Sequence, residues 1–162
     1  MTRALPLLPL LVGCSGPFVT VEGQIGDLPF DKALTAFHGG PHIILFEEEV
    51  DCLNADFLQR AYDDGIPPTD LPFVALQFSA MDEDSYAPGT YVFEPNSPVR
   101  SYGLQNTEEG SFVTYRGREG TLTITDMDEK KEQWIEGEFD VAFTDSEVHG
   151  TFRTEFCRNV QP

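Results

Sequence analysis

Between Trp134 and Phe156 apolar and polar residues alternate almost without interruption, and this period of two constrains the fold more than any other feature. Ile135, Gly137, Phe139, Val141 and Phe143 fall on one side of an extended chain, and Glu136, Glu138 and Asp140 on the other. Successive side chains of a strand point to opposite faces, so the pattern demands a sheet with one buried and one solvated face. Val148, Gly150, Phe152, Thr154 and Phe156 repeat it, and the intervening Thr144-Asp145-Ser146-Glu147 has turn chemistry and a hairpin's length. Pairing Phe143 with Val148 predicts Phe139 opposite Phe152 and Glu138 opposite Arg153, an aromatic pair inside and an ion pair outside.

The same logic extends along the chain. Phe18 to Ile25 alternates and stops at Gly26-Asp27, while Phe30 to Phe37 and His42 to Phe46 flank the break His38-Gly39-Gly40-Pro41. Phe73 to Ala80 carries apolar residues in both phases, which predicts a strand buried on both faces. Gly89 to Phe93, Val99 to Leu104, Phe112 to Arg118 and Thr121 to Thr125 are shorter strand candidates separated by turn residues. One stretch has helical spacing: Val50, Leu53, Phe57, Leu58, Ala61 and Tyr62, with Asp51 or Asn54 as cap and Gly65-Ile66-Pro67-Pro68 as stop. The expectation is an all-β fold, an antiparallel sandwich or barrel of about nine or ten strands with one short helix.

Composition narrows the partners. The 162 residues carry 28 Asp and Glu against 10 Lys and Arg, a formal net charge of −18. With 40% hydrophobic residues and 13 Phe, the chain has the apolar material for a core that a disordered acidic tail lacks. Each phosphate contact needs a cation to replace a released counterion, so the charge disfavours nucleic acid and anionic headgroups. It favours cations, basic partners or simple solubility.

The first residues read as an address. Met1-Thr2-Arg3 is followed by the short apolar run Ala4 to Val12, broken by Pro6 and Pro9. A bilayer core of roughly 30 Å needs about 20 such residues in a helix, so the run suits a cleaved signal peptide instead. Its end, Leu11-Val12-Gly13-Cys14-Ser15, resembles the bacterial lipobox, an aliphatic residue and small residues ahead of a cysteine. That resemblance implies cleavage of residues 1–13, lipidation of Cys14 and a tether over residues 14–18, then one acidic β-domain over 19–162. Thiolate chemistry is why the position requires cysteine. Ser15 differs from the Asp of an inner-membrane retention signal, so the resemblance implies the outer membrane of a bacterial envelope. The remaining pair, Cys52 and Cys157, is expected to form a disulfide in an exported protein.

The body of the chain also has a familiar rhythm. Gly89-Thr90-Tyr91, Gly120-Thr121-Leu122-Thr123-Ile124, Ile135-Glu136-Gly137-Glu138-Phe139 and Val148-His149-Gly150-Thr151-Phe152 follow one another at similar intervals. With Val21-Glu22-Gly23-Gln24-Ile25 and Leu28-Pro29-Phe30, they resemble the β-domains of uncharacterised bacterial envelope lipoproteins, over residues 19 to 157. The resemblance implies a structural frame and carries over no catalytic residue.

Candidates for chemistry are sparse. His38 and His42 could ligate zinc if helical, but Gly39-Gly40-Pro41 makes a turn and no third ligand stands nearby. The His-Gly-Gly string lacks the G-x-S-x-G nucleophile of an esterase anywhere in the chain. The acidic runs Glu47 to Asp51, Asp82 to Asp84 and Asp126 to Glu129 offer oxygen ligands without EF-hand spacing; Asp126 with Asp128 is the best-shaped metal candidate. Tyr86, Tyr91, Tyr102, Tyr115 and Trp134 could stack on a sugar, and Trp134, on the polar side of its strand, is the candidate ligand contact. A hydrolase would need His42 or His149 to converge with a serine and an acid. The expectation is a lipid-anchored envelope protein without enzymatic activity or cofactor, a structural or interaction module with an envelope-protein or glycan partner. The alternative is a lipocalin-like or carbohydrate-binding domain that takes a small ligand.

Overall fold

The computed structural model of the chain describes residues 17–39, 41–52, 73–80, 86–94, 97–106, 112–128 and 133–157. Among these are twelve strands in two six-stranded sheets and no α-helix, so the chain is an all-β sandwich. The expected helix lies outside the described residues, apart from its first positions.

The first sheet is built from β1 (Phe18–Ile25), β2 (Leu28–Pro29), β6 (Gly89–Val92), β9 (Glu119–Met127), β10 (Ile135–Ala142) and β11 (Glu147–Arg153). Its order is β2-β1-β11-β10-β9-β6, antiparallel throughout. The second contains β3 (Thr35–Gly39), β4 (His42–Phe46), β5 (Phe73–Ala80), β7 (Val99–Asn106), β8 (Phe112–Arg116) and β12 (Glu155–Phe156). Its order is β12-β3-β4-β5-β7-β8, with β12 parallel to β3 and every other pair antiparallel. Strands β4 and β5 keep the limits that alternation predicts. Two short strands, β2 and β12, were not expected as separate elements.

The alternating residues meet between the sheets. Ile25, Leu122, Ile124, Phe139, Val141, Val148 and Phe152 of the first sheet face Ile43, Leu45, Val74, Leu76, Phe78 and Val99 of the second. Phe78 stacks on Phe93 with centroids 5.9 Å apart and tilts against Phe139 at 5.5 Å. Burying each such ring contributes about 1.5–3 kcal/mol, which makes this layer the main source of stability. The doubly apolar β5 is buried from Val74 to Phe78, as its sequence demands. Its second face belongs to a satellite cluster on the outside of the second sheet: Phe37, Ile44, Phe46, Ala75, Leu104 and Cys157.

The hairpin register differs from the expected one by two residues. Val141 pairs with Val148, Phe139 with Gly150, Gly137 with Phe152 and Glu136 with Arg153. Phe143 leaves the ladder and turns inward against Gly103 of the other sheet, where it is 7% exposed. A second cause is steric. On the inner face each phenylalanine lies across from a glycine, and a Cβ on Gly150 would come within 3.0 Å of the Phe139 ring. A slip of two preserves parity, so every side chain still falls on its expected face.

Cys52 and Cys157, separated by 105 positions, meet at disulfide distance with Cα atoms 5.5 Å apart. The bridge lies over the outer cluster, so it clamps the chain after β4 to the end of β12.

Candidate functional site

The two outer faces of the sandwich differ in chemistry. On the first sheet, alternation places Glu22, Glu136, Glu138, Asp140 and His149 outward with a set of threonines. Thr20 and Thr151 share a hydrogen bond of 2.6 Å, and Thr90 and Thr123 one of 3.1 Å. This face is solvated and mostly acidic. On the second sheet the outward positions of β4, β5, β7 and β8 hold His42, Gln77, Ser79, Arg100, Tyr102 and Arg116 beside the apolar cluster.

Register brings these polar residues together. His42 pairs with Ser79, Ser79 with Arg100, Gln77 with Tyr102, and Tyr102 with Arg116. The Gln77 amide donates from Nε2 to Ser79 Oγ at 2.9 Å and to His42 Nδ1 at 3.1 Å. Ser79 Oγ lies 3.0 Å from the same imidazole nitrogen. With Nδ1 accepting, the neutral ring carries its proton on Nε2. Burial pushes the His42 pKa down, which agrees with a neutral imidazole. The histidine therefore has a serine partner, as a hydrolase would require. Its other partner, on the same nitrogen, is the Gln77 amide and not the carboxylate that would stabilise an imidazolium.

The other sequence candidates are dispersed. His38 and His42 lie on opposite faces of the second sheet, since β3 and β4 place Ala36 and Ile43 inward and Phe37 and Ile44 outward. His38 Nδ1 bonds Thr154 Oγ1 at 2.7 Å, so the two histidines do not form a ligand pair. Asp126 uses its Oδ1 to accept from the Met127 backbone N–H at 2.9 Å, and Asp128 donates its own N–H to Trp134 O at 3.1 Å. Among the described residues no group of three His, Cys, Asp or Glu could hold a metal ion. Trp134 is half-buried, and the Arg153 guanidinium lies over its ring at 4.0 Å, while the same arginine bonds Glu136 at 3.2 Å. One ring face is thus already covered. Tyr86 is buried and donates to Pro41 O at 3.1 Å, and burial pushes its phenol pKa up. Tyr91 bonds Ala87 and Tyr115 bonds Gln105, so these rings act in packing; Tyr102 alone belongs to the polar row. His149 is exposed, 3.9 Å from Glu22. Cys14 lies outside the described residues.

Sequence reasoning singled out His42 and Tyr102 but missed Gln77, Ser79, Arg100 and Arg116, because the row is assembled from four strands and these four look ordinary in their own segments. The available signal was a phase reading of β5, β7 and β8, which puts Ser79, Arg100 and Arg116 on the side away from Val74, Leu76 and Phe78. No family model, curated protein or solved structure matches the chain.

Proposed function

We propose that the chain is a lipid-anchored envelope protein, cut before Cys14 and acylated there, whose β-domain acts as a non-enzymatic interaction module at the outer membrane. The observation that carries this reading is Leu11-Val12-Gly13-Cys14 behind a short apolar run, four residues ahead of β1. The disulfide-distance pair agrees with export, because such bridges persist in oxidising compartments. Only Ser15 and Gly16 separate Cys14 from Pro17, a reach of roughly 10 Å over three peptide steps, so the edge around β1 would sit at the bilayer surface. That edge exposes Phe18 and Leu34, the latter 60% accessible, beside a groove lined by Val19, Ala36, Phe37 and Val50 together with the acids Glu49, Asp51 and Glu155. Exposed apolar side chains at this edge suit contact with the interfacial region. The Phe-filled inner layer favours a rigid module over an enclosed ligand cavity.

The test is fractionation of the natural host with wild type and Cys14→Ala. The wild type is expected in the membrane fraction with an acylated residue 14 and no residues 1–13 by mass spectrometry. The variant is expected in the soluble fraction, and membrane retention of Cys14→Ala would overturn the anchor.

A further inference from the structure

We propose that the open edge of β1 takes up an extended, basic segment of another polypeptide as a further strand, its apolar residues against Val19 and Val21 and its Lys or Arg toward Glu49, Asp51 and Glu155. This names the partner of the interaction module and rests on that reading, though not on acylation of Cys14. Strand β1 runs for eight residues, whereas β2 covers only Gln24 and Ile25 of it. On that same side Gly23 O accepts from Phe30 N–H at 2.9 Å. The N–H and C=O of one strand residue share a side, and successive residues alternate sides. Val21 and Val19 therefore turn their backbone groups the same way as Gly23, where no described residue meets them. Between Phe18 and Glu22 the edge carries no proline, lysine or inward charge, the devices that usually block strand addition.

The inner layer is also left unfinished along this edge. Val19 and Val21 pack on the core yet stay partly exposed, while Ile25, where β2 covers β1, is fully buried. A strand laid about 4.8 Å from β1 would cover the two valines as β2 covers Ile25. In such additions main-chain bonds supply affinity, and the adjoining side-chain pockets choose the segment. Here the pocket is the groove of about 260 Å³ beside Phe18 and Val19, with Leu34 and Ala36 on its β3 wall and Glu49, Asp51 and Glu155 exposed around it. On the outward face of β1 the Glu22 side chain is 85% exposed. Apolar walls with carboxylates around them select a segment that alternates apolar and basic residues, and the net charge of −18 draws it in. Pairing β1 with a second copy would instead join two chains of that same charge along acidic edges.

Calorimetric titration and amide hydrogen exchange of the full chain in non-ionic detergent test the assignment. The probes are the blocked peptide Lys-Val-Lys-Val-Lys-Val-Lys, its counterpart with Glu for Lys, and its counterpart with Pro for the central Val. The lysine peptide is expected to bind saturably and to slow exchange at the Val19 and Val21 amides. The glutamate and proline peptides should each bind about tenfold weaker or more, the loss that one hydrogen bond represents. Val21→Pro removes an edge donor but no bond to β11, and should weaken the lysine peptide by about tenfold. A Glu49→Gln, Asp51→Asn, Glu155→Gln variant should weaken it to a similar degree with an unchanged melting curve, which keeps the test valid should Val21→Pro unfold. The fractionation of Cys14→Ala is independent of these results, so anchor and edge fail separately. Absence of binding, a proline peptide as tight as the lysine peptide, protection only at amides other than Val19 and Val21, or binding unchanged in both variants would each overturn the proposal. So would free protein found as a dimer with Val19 and Val21 already protected, which would give the edge to a second copy.

Discussion

His42 shows how one side chain joins fold and chemistry. Burial holds its imidazole neutral, with Nδ1 accepting from Gln77 on a strand hydrogen-bonded to its own. The unfolded chain takes up a proton as pH falls through about 6.5, while folded His42 still resists it. The unfolded state then binds more protons, so stability falls with pH below that point. Thermal melts between about pH 7.5 and 5.5 should show this loss, and His42→Gln should flatten it relative to wild type. A steric case is Gly137, whose added Cβ would stand 2.9 Å from Phe152 Cζ and closer still to the Thr123 carbonyl oxygen. Gly137→Ala should cost about 1–3 kcal/mol through overpacking, read as a lower urea midpoint at unchanged m-value.

At the scale of elements, the end of β11 shows where local pattern stops being sufficient. Alternation from Val148 to Phe156 reads as one strand, yet the chain leaves the first sheet at Thr154 and continues as β12 beside β3 in the second. Thr154, 1% exposed, sits at this crossing: its Oγ1 accepts from Ile135 N–H at 3.1 Å and lies 3.2 Å from Ile135 O and 2.7 Å from His38 Nδ1. One hydroxyl thus ties β10, β11 and β3 together. Thr154→Val keeps the shape but strips those partners, and should cost about 1–3 kcal/mol in chemical denaturation. The slip in the β10–β11 hairpin has a similar lesson. The pattern identifies faces reliably, because parity is local, whereas the register depends on Phe143 finding room beside Gly103 on the opposite sheet.

For the whole molecule, the bridge between Cys52 and Cys157 spans most of the domain. In the loop-entropy account, closing a loop of that length stabilises by about 4–5 kcal/mol, so reduction should lower the urea midpoint accordingly. A Cys52→Ser, Cys157→Ser variant should melt like the reduced protein and ignore reductant; equal stability of oxidised and reduced wild type would show that the bridge constrains nothing. For the described residues, the sequence alone determined which alternating segments are β and which of their residues turn inward. These follow from a two-residue period set by backbone geometry within each strand. The partition into two sheets, the pairing of β1 with β11, and the meeting of His42, Gln77, Ser79, Arg100, Tyr102 and Arg116 were decided by tertiary structure. Strand partners are chosen by packing between segments far apart in the chain, and no local period encodes which distant strand supplies the matching face.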